Sequence, residues 1–132
     1  MMVRISRSLL AELTMLAAAT DEEICGLLTG TADRIEHHIV SANVAPDPRT
    51  HFEVDPAVLI MAHRAARSGG PSILGHYHSH PSGDPEPSAT DARAARDDDA
   101  LWLIMGGGVA RLWRAGDGGK WGRFTEVTLC PE

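Results

Sequence analysis

Three of the seven histidines in this 132-residue chain stand at alternate positions in Gly75-His76-Tyr77-His78-Ser79-His80-Pro81. The residues just before them, Ser72-Ile73-Leu74, are a short apolar run that reads as a buried strand. Side chains alternate along a strand, so His76, His78 and His80 point one way and Tyr77 and Ser79 the other. Imidazoles two residues apart sit roughly 6–7 Å apart at the backbone. That spacing lets both rings converge on one ion held at about 2.0–2.1 Å. Pro81 ends the strand, and Ser82-Gly83-Asp84-Pro85-Glu86-Pro87 is turn chemistry throughout. Such a loop folds back and delivers Asp91 from the start of the next helix. Two histidines and one carboxylate in this arrangement suggest a mononuclear zinc site.

Three protein ligands leave the fourth zinc position to water, as in a catalytic rather than a structural site. Zinc brings the pKa of that water from about 15.7 toward about 7. A carboxylate within hydrogen-bond reach is then needed to take the proton and hand it to a leaving group. Glu22 and Glu23 are the upstream candidates, and spacing alone does not choose between them. Ser88-x-x-Asp91 also reads as a helix start with an acid in the first turn, which is compatible with a ligand role because a helix start holds the carboxylate rigid. A three-histidine site made of 76, 78 and 80 is conceivable, but ligands in line along one strand span a tetrahedron poorly. His76 therefore reads as a packed histidine beside the site. His37, His38, His51 and His63 lack partner spacing and read as surface residues. Trp102, Trp113 and Trp121 fall on predicted strands as core or partly exposed aromatics.

Other zinc arrangements fail. There is no His-Glu-x-x-His and no deaminase His-x-Glu with Pro-Cys-x-x-Cys. Pro81 and Ser82 after His80 exclude the metallo-β-lactamase His-x-His-x-Asp-His run. No nucleophile elbow, Walker loop or dinucleotide glycine loop is present, and Gly106-Gly107-Gly108 reads as a hairpin turn.

The length fits one domain, residues 1–132, with a single hydrophobic core. A hydrophobic content of 43% with 23% charged residues is that of an ordinary soluble globular protein. The net charge of −6, without any basic stripe, argues against a nucleic-acid partner. No apolar run approaches the roughly 20 residues that span a bilayer. Arg4 and Arg7 ahead of Leu9 to Ala19 loosely imitate a signal peptide, but Glu12 interrupts the apolar segment and cleavage there would remove the first helix. Cys25 and Cys130 lie far apart and form no CxxC, so a reducing, cytoplasmic setting is expected, with Cys25 packed as a small hydrophobe.

Leu9, Leu10, Leu13, Leu16 and Ala17 recur at helical spacing, which predicts an amphipathic helix over 6–19 capped by Ser6 or Ser8. Strands are expected over 24–29 and 35–44, antiparallel to one another, and a further short one over 51–54. Asp55-Pro56 starts a helix that Gly69-Gly70-Pro71 ends. After the histidine strand come a helix over 88–97, a central strand over 101–105, a strand over 109–113, a turn over 116–119 and a last strand over 121–129. This order predicts an α/β or α+β domain, a mixed sheet flanked by helices.

His78-Ser79-His80-Pro81, then Pro87-Ser88 and Asp91, resembles the JAMM signature of the JAB/MPN metallopeptidases: His-x-His, a seven-residue spacer, Ser-x-x-Asp, and a glutamate far upstream. Glu22-Glu23-Ile24-Cys25-Gly26-Leu27-Leu28-Thr29-Gly30 is similar to the family's Glu-x-Cys-Gly-Leu-Leu-x-Gly strand. The likeness runs from about residue 3 to about residue 127. It implies the JAB/MPN fold, one catalytic Zn2+ held by His78, His80 and Asp91, Glu23 as general base and Ser88 as the group that stabilises the oxyanion. It also implies a peptidase or isopeptidase, and the compact size resembles the prokaryotic members, whose substrates are ubiquitin-like or sulfur-carrier proteins. A non-catalytic MPN scaffold that only binds partners would hold no stoichiometric zinc. A zinc hydrolase of a non-peptide amide would leave every ubiquitin-like fusion intact.

Overall fold

The computed structural model describes residues 1–132. In chain order the elements are β1 (Met2–Ile5), α1 (Arg7–Ala18), β2 (Cys25–Thr31), β3 (Arg34–Ser41) and α2 (Pro56–Arg67). They continue with β4 (Ser72–Ser79), α3 (Ala89–Ala94), β5 (Leu101–Gly106), β6 (Val109–Lys120) and β7 (Phe124–Pro131). The strands form one mixed sheet in the order β1-β3-β2-β4-β5-β6-β7. It closes on itself because β1 pairs in parallel with both β3 and β7. The mixed sheet with helices is the architecture expected from the residues.

Local chemistry explains the elements. Ser6 caps α1 by accepting from the Leu9 amide, and Leu13 is the residue that this helix buries completely, among Val3, Ile5, Leu28, Leu103 and Leu112. Asp55 caps α2 by accepting from the Ala57 amide, and Ala62 packs toward Cys25 and Leu27. Strand β5 is apolar at every side chain because both of its faces are covered. Leu101, Leu103 and Met105 enter the α1 core, whereas Trp102 and Ile104 enter a second core with Ala95, Trp113 and Phe124. Truncating a wholly buried leucine such as Leu103 to alanine costs about 2–5 kcal/mol.

Strand β4 lies between β2, antiparallel, and β5, parallel, with His78 opposite Cys25 on one side and Ile104 on the other. Tyr77 points into the α1 core while His76 and His78 point to the other face. Gly26 is required here, since a Cβ at that position would collide with the Tyr77 hydroxyl and the Ile39 carbonyl. The parallel connection from β4 to β5 runs through the proline-rich loop and α3, which brings the chain back over the end of β4.

Several boundaries differ from the sequence reading. β1 was not predicted, because four residues carry no measurable periodicity, yet its Val3 and Ile5 are wholly buried. The segment 51–54 makes only a bridge from Val54 to Asn43. Helix α3 stops at Ala94, with Ala95 extended, rather than reaching 97. Strand β6 runs through the glycine-rich 116–119 segment to Lys120 with a shift in register after Ala115, so the turn falls at 121–123. Trp121 therefore sits in a turn and is 56% exposed, whereas Trp102 and Trp113 are core residues.

Candidate metal centre

At the end of β4 the Nε2 atoms of His78 and His80 lie 3.1 Å apart. The Oδ2 atom of Asp91 is 3.3 Å from the first and 3.1 Å from the second. All three side chains are buried. Four donors set tetrahedrally at about 2.0 Å from a zinc ion are about 3.3 Å from one another, so this triangle has the edge lengths of such a site. The carboxylate of Glu23, 6% exposed, completes a second triad with the same two histidines, its ligand atoms within 4.8 Å of one another.

The proton inventory also fits a cation. His80 Nδ1 lies 2.6 Å from the Asp84 carbonyl oxygen, an acceptor only, so Nδ1 carries the hydrogen. In the neutral ring Nε2 is then a bare lone pair facing the Asp91 carboxylate. Both Nε2 atoms face the Asp91 carboxylate at hydrogen-bond distance, and a divalent ion would take the place of the protons shared there. The His80–Asp84 bond is the kind of contact that orients a metal-binding histidine. His78 departs from that pattern: its Nδ1 is buried without a partner, and the ring is held by stacking on Phe52 at 4.1 Å.

Asp91 is fixed by its helix. Ser88 Oγ accepts from the Asp91 amide at 3.0 Å, and Asp91 Oδ2 accepts from the Ser88 amide at 2.9 Å. This capping box is the helix start that the sequence motif suggested, and the same carboxylate faces the histidines. Burial works against the Asp91 anion, but hydrogen bonds from His78 and His80 outweigh it and hold the carboxyl below its usual range. Burial pulls His80 down, and the Asp91 hydrogen bond and charge more than offset it, leaving that imidazole raised. His78 is lowered by burial despite Asp91. Burial pushes the Glu23 carboxyl up to about 7, with His80 lowering it and Asp91 raising it.

Glu23 lies before β2 begins, so its backbone is held by other means. Its amide donates to the Pro48 carbonyl at 2.7 Å, and its carbonyl accepts from Asn43 Nδ2 at 2.9 Å. Asn43 also donates to the His51 carbonyl and accepts from the Ala45 and Glu53 amides, so one side chain ties three segments together. Ser79, between the two histidines, accepts from the Ile24 amide through Oγ at 2.9 Å and joins the Glu23 segment to β4. Neither residue was singled out from sequence. An asparagine just before Val44-Ala45-Pro46 was the available signal for the first.

Of the five residues expected to act together, Glu23 and Asp91 each stand against His78 and His80, and Ser88 joins them through its capping contacts with Asp91. Glu22 is exposed. His76 packs against Trp102 at 4.3 Å between ring centroids and keeps an unpartnered Nδ1. His38 is not a surface residue as expected: its side chain is 10% exposed and bridges the Tyr77 hydroxyl and Glu12 at 3.0 and 3.3 Å.

The family model described as prokaryotic homologs of the JAB domain matches residues 6–116. A desampylase of Haloferax volcanii is 42% identical over 116 residues, covering 83% of this chain and 78% of that protein. A probable TtuB-protein conjugate cleaving protease of Thermus thermophilus is 40% identical over 75 residues, 57% of this chain and 50% of that protein. A CysO-cysteine peptidase of Mycobacterium tuberculosis is 31% identical over 86 residues, 64% of this chain and 58% of that protein. Among solved structures, a protein from Desulfitobacterium hafniense superposes with a TM-score of 0.82 at 28% identity, covering 99% of this chain and 93% of that one. A JAB1/MPN domain protein from Archaeoglobus fulgidus shares the fold, with a TM-score of 0.58 at 20% identity over 97% of each chain. With its sheet, its buried histidine–carboxylate cluster and a family match over most of its length, the chain belongs to the prokaryotic JAB domain family.

Proposed function

We propose that the chain is a zinc-dependent JAMM-type peptidase or isopeptidase. It hydrolyses the bond at the C-terminus of a ubiquitin-like or sulfur-carrier protein, in the cytoplasm. The observation that carries this reading is the convergence of His78 Nε2, His80 Nε2 and Asp91 Oδ2 beside the buried Glu23 carboxylate. The names of the relatives, conjugate-cleaving protease and CysO-cysteine peptidase among them, support the substrate class.

His78, His80 and Asp91 would hold the ion, which would supply Lewis acidity toward the substrate carbonyl and water. Glu23 takes the proton of the attacking water and returns it to the departing amine. Its carboxyl is buried against the same two histidines, within reach of a water at that point. Ser88 Oγ accepts the Asp91 amide hydrogen, so its own hydrogen is free to donate to the substrate carbonyl oxygen as negative charge develops there.

The test is to incubate the protein with a ubiquitin-like domain carrying a C-terminal extension. Cleavage at the domain's C-terminus, abolished by chelator and restored by zinc, is the expected result. Intact fusions in the presence of stoichiometric bound zinc would remove the peptidase reading, and the absence of bound zinc would remove the metal centre.

A further inference from the structure

The loop between His80 and Ser88 supplies two parts of the site: the Asp84 carbonyl that meets His80 Nδ1, and the capping box that presents Asp91. Three of its residues, Pro81, Pro85 and Pro87, have no amide hydrogen, so the loop has few internal hydrogen bonds to stiffen it. Its anchors come from the β6–β7 hairpin instead. Trp113 Nε1 donates to the Pro85 carbonyl at 3.2 Å, and Trp121 Nε1 donates to the Pro87 carbonyl at 2.8 Å. Between them Glu86 is paired with Arg111 at 3.3 Å and Lys120 at 3.4 Å. Half-exposed ion pairs of this kind add little, so the two indole donors carry the hold. On the other side the loop lies against the β5–β6 turn, where a Cβ on Gly106 would come within 2.9 Å of the Asp84 backbone.

Trp121 occupies a φ of 57°, a left-handed conformation that a bulky residue adopts only where its surroundings enforce it. It keeps that conformation while 56% of its surface faces solvent, so burial of the ring does not explain the position. Trp121 and Lys120 also lie beyond the 6–116 segment matched by the family model.

We infer that Trp113 and Trp121 are positioning residues that clamp the proline-rich loop through its carbonyls and so hold Asp84 and Asp91 in register with His80. The zinc arm of the test below rests on the proposed metal centre, and the exchange arm does not. Trp121→Phe keeps an aromatic ring and removes the donor, and Trp113→Phe does the same in the core. Amide hydrogen exchange is read on the metal-free proteins at Ser88 and Asp91, with the amides of β5 as internal control.

Trp121→Phe is expected to speed exchange at Ser88 and Asp91 about tenfold and leave β5 unchanged. It is expected to weaken zinc binding about tenfold in competition with a chromophoric chelator. Trp113→Phe should act in the same direction at the same amides. Unchanged exchange in both variants overturns the inference, as does acceleration that is equal in β5, which would mean a general stability effect. Faster exchange without weaker zinc binding would reduce the indoles to loop anchors and overturn the positioning role. If the wild-type protein binds no zinc, the proposed function fails, and the exchange result alone decides whether the indoles hold the loop.

Discussion

His78 and His80 belong to an interior strand and its continuation, whereas Glu23 and Asp91 sit outside any strand. The backbone of β4 is hydrogen-bonded to β2 on one side and β5 on the other, and the His80 amide continues the pairing by donating to the Met105 carbonyl. Their placement is set by the sheet and shared across many bonds. Glu23 is held by Asn43 and Pro48, and Asp91 by a six-residue helix, its Ser88 cap and the loop before it. The histidine backbones are thus insensitive to any single remote side chain, and the two carboxylates depend on a few individual hydrogen bonds. Precision that comes from a ladder is distributed; precision that comes from caps and side chains is concentrated.

The largest effect tests whether ligands on the two sides count equally. His80→Ala and Asp91→Ala are both expected to lose stoichiometric zinc by metal analysis and to lower cleavage of a ubiquitin-like fusion to the level seen with chelator. A variant at Asp91 that kept its zinc would break the comparison at its base. Glu23→Gln should keep zinc while kcat falls about 10²–10⁴-fold, since a general base is lost and no ligand is. Ser88→Ala should lower kcat about 10²-fold and also cost about 1 kcal/mol of stability through the lost cap. A steady-state assay beside thermal denaturation separates the two parts.

Asn43→Ala sharpens the contrast, because it removes the hub of the Glu23 segment without touching β4. We expect zinc affinity to change little, kcat to drop, and Tm to fall by several degrees, as for a buried hydrogen-bond network. The smallest effect concerns pH. The Glu23 carboxyl is raised in the folded protein from its ordinary 4.5 to about 7, so the native state holds its proton more tightly than the unfolded chain does. That contribution to stability is complete below about 4.5 and is lost as pH rises through about 7. Metal-free wild type should therefore lose Tm relative to metal-free Glu23→Gln between pH 5 and pH 8. Parallel curves would show that burial of this carboxyl has no energetic consequence.

The candidate site was largely legible in the residues, because alternation along a strand and the capping pattern Ser88-x-x-Asp91 are local rules. The elements followed the same division. α1 and α2 were readable from periodicity and caps, and β5 from its apolar run. β1 was not, since Val3 and Ile5 become meaningful only through pairing with β3 and β7, far away in the chain. His38 was misjudged for a similar reason: its partners, Tyr77 and Glu12, are 39 and 26 residues distant.

Residue types and spacing singled out the side chains proposed to bind a divalent ion and the strand and helix start that carry them, and determined that the chain folds as a mixed sheet with helices. Those features depend on contacts within a few residues, so they are written locally. Only the tertiary structure decided how far Glu23 stands from the histidines, that Asn43 and Ser79 hold its segment, and that two indoles from the β6–β7 hairpin reach the loop before Asp91. These depend on closure of the sheet and on bonds between distant segments, whose geometry exists only once the whole barrel has formed.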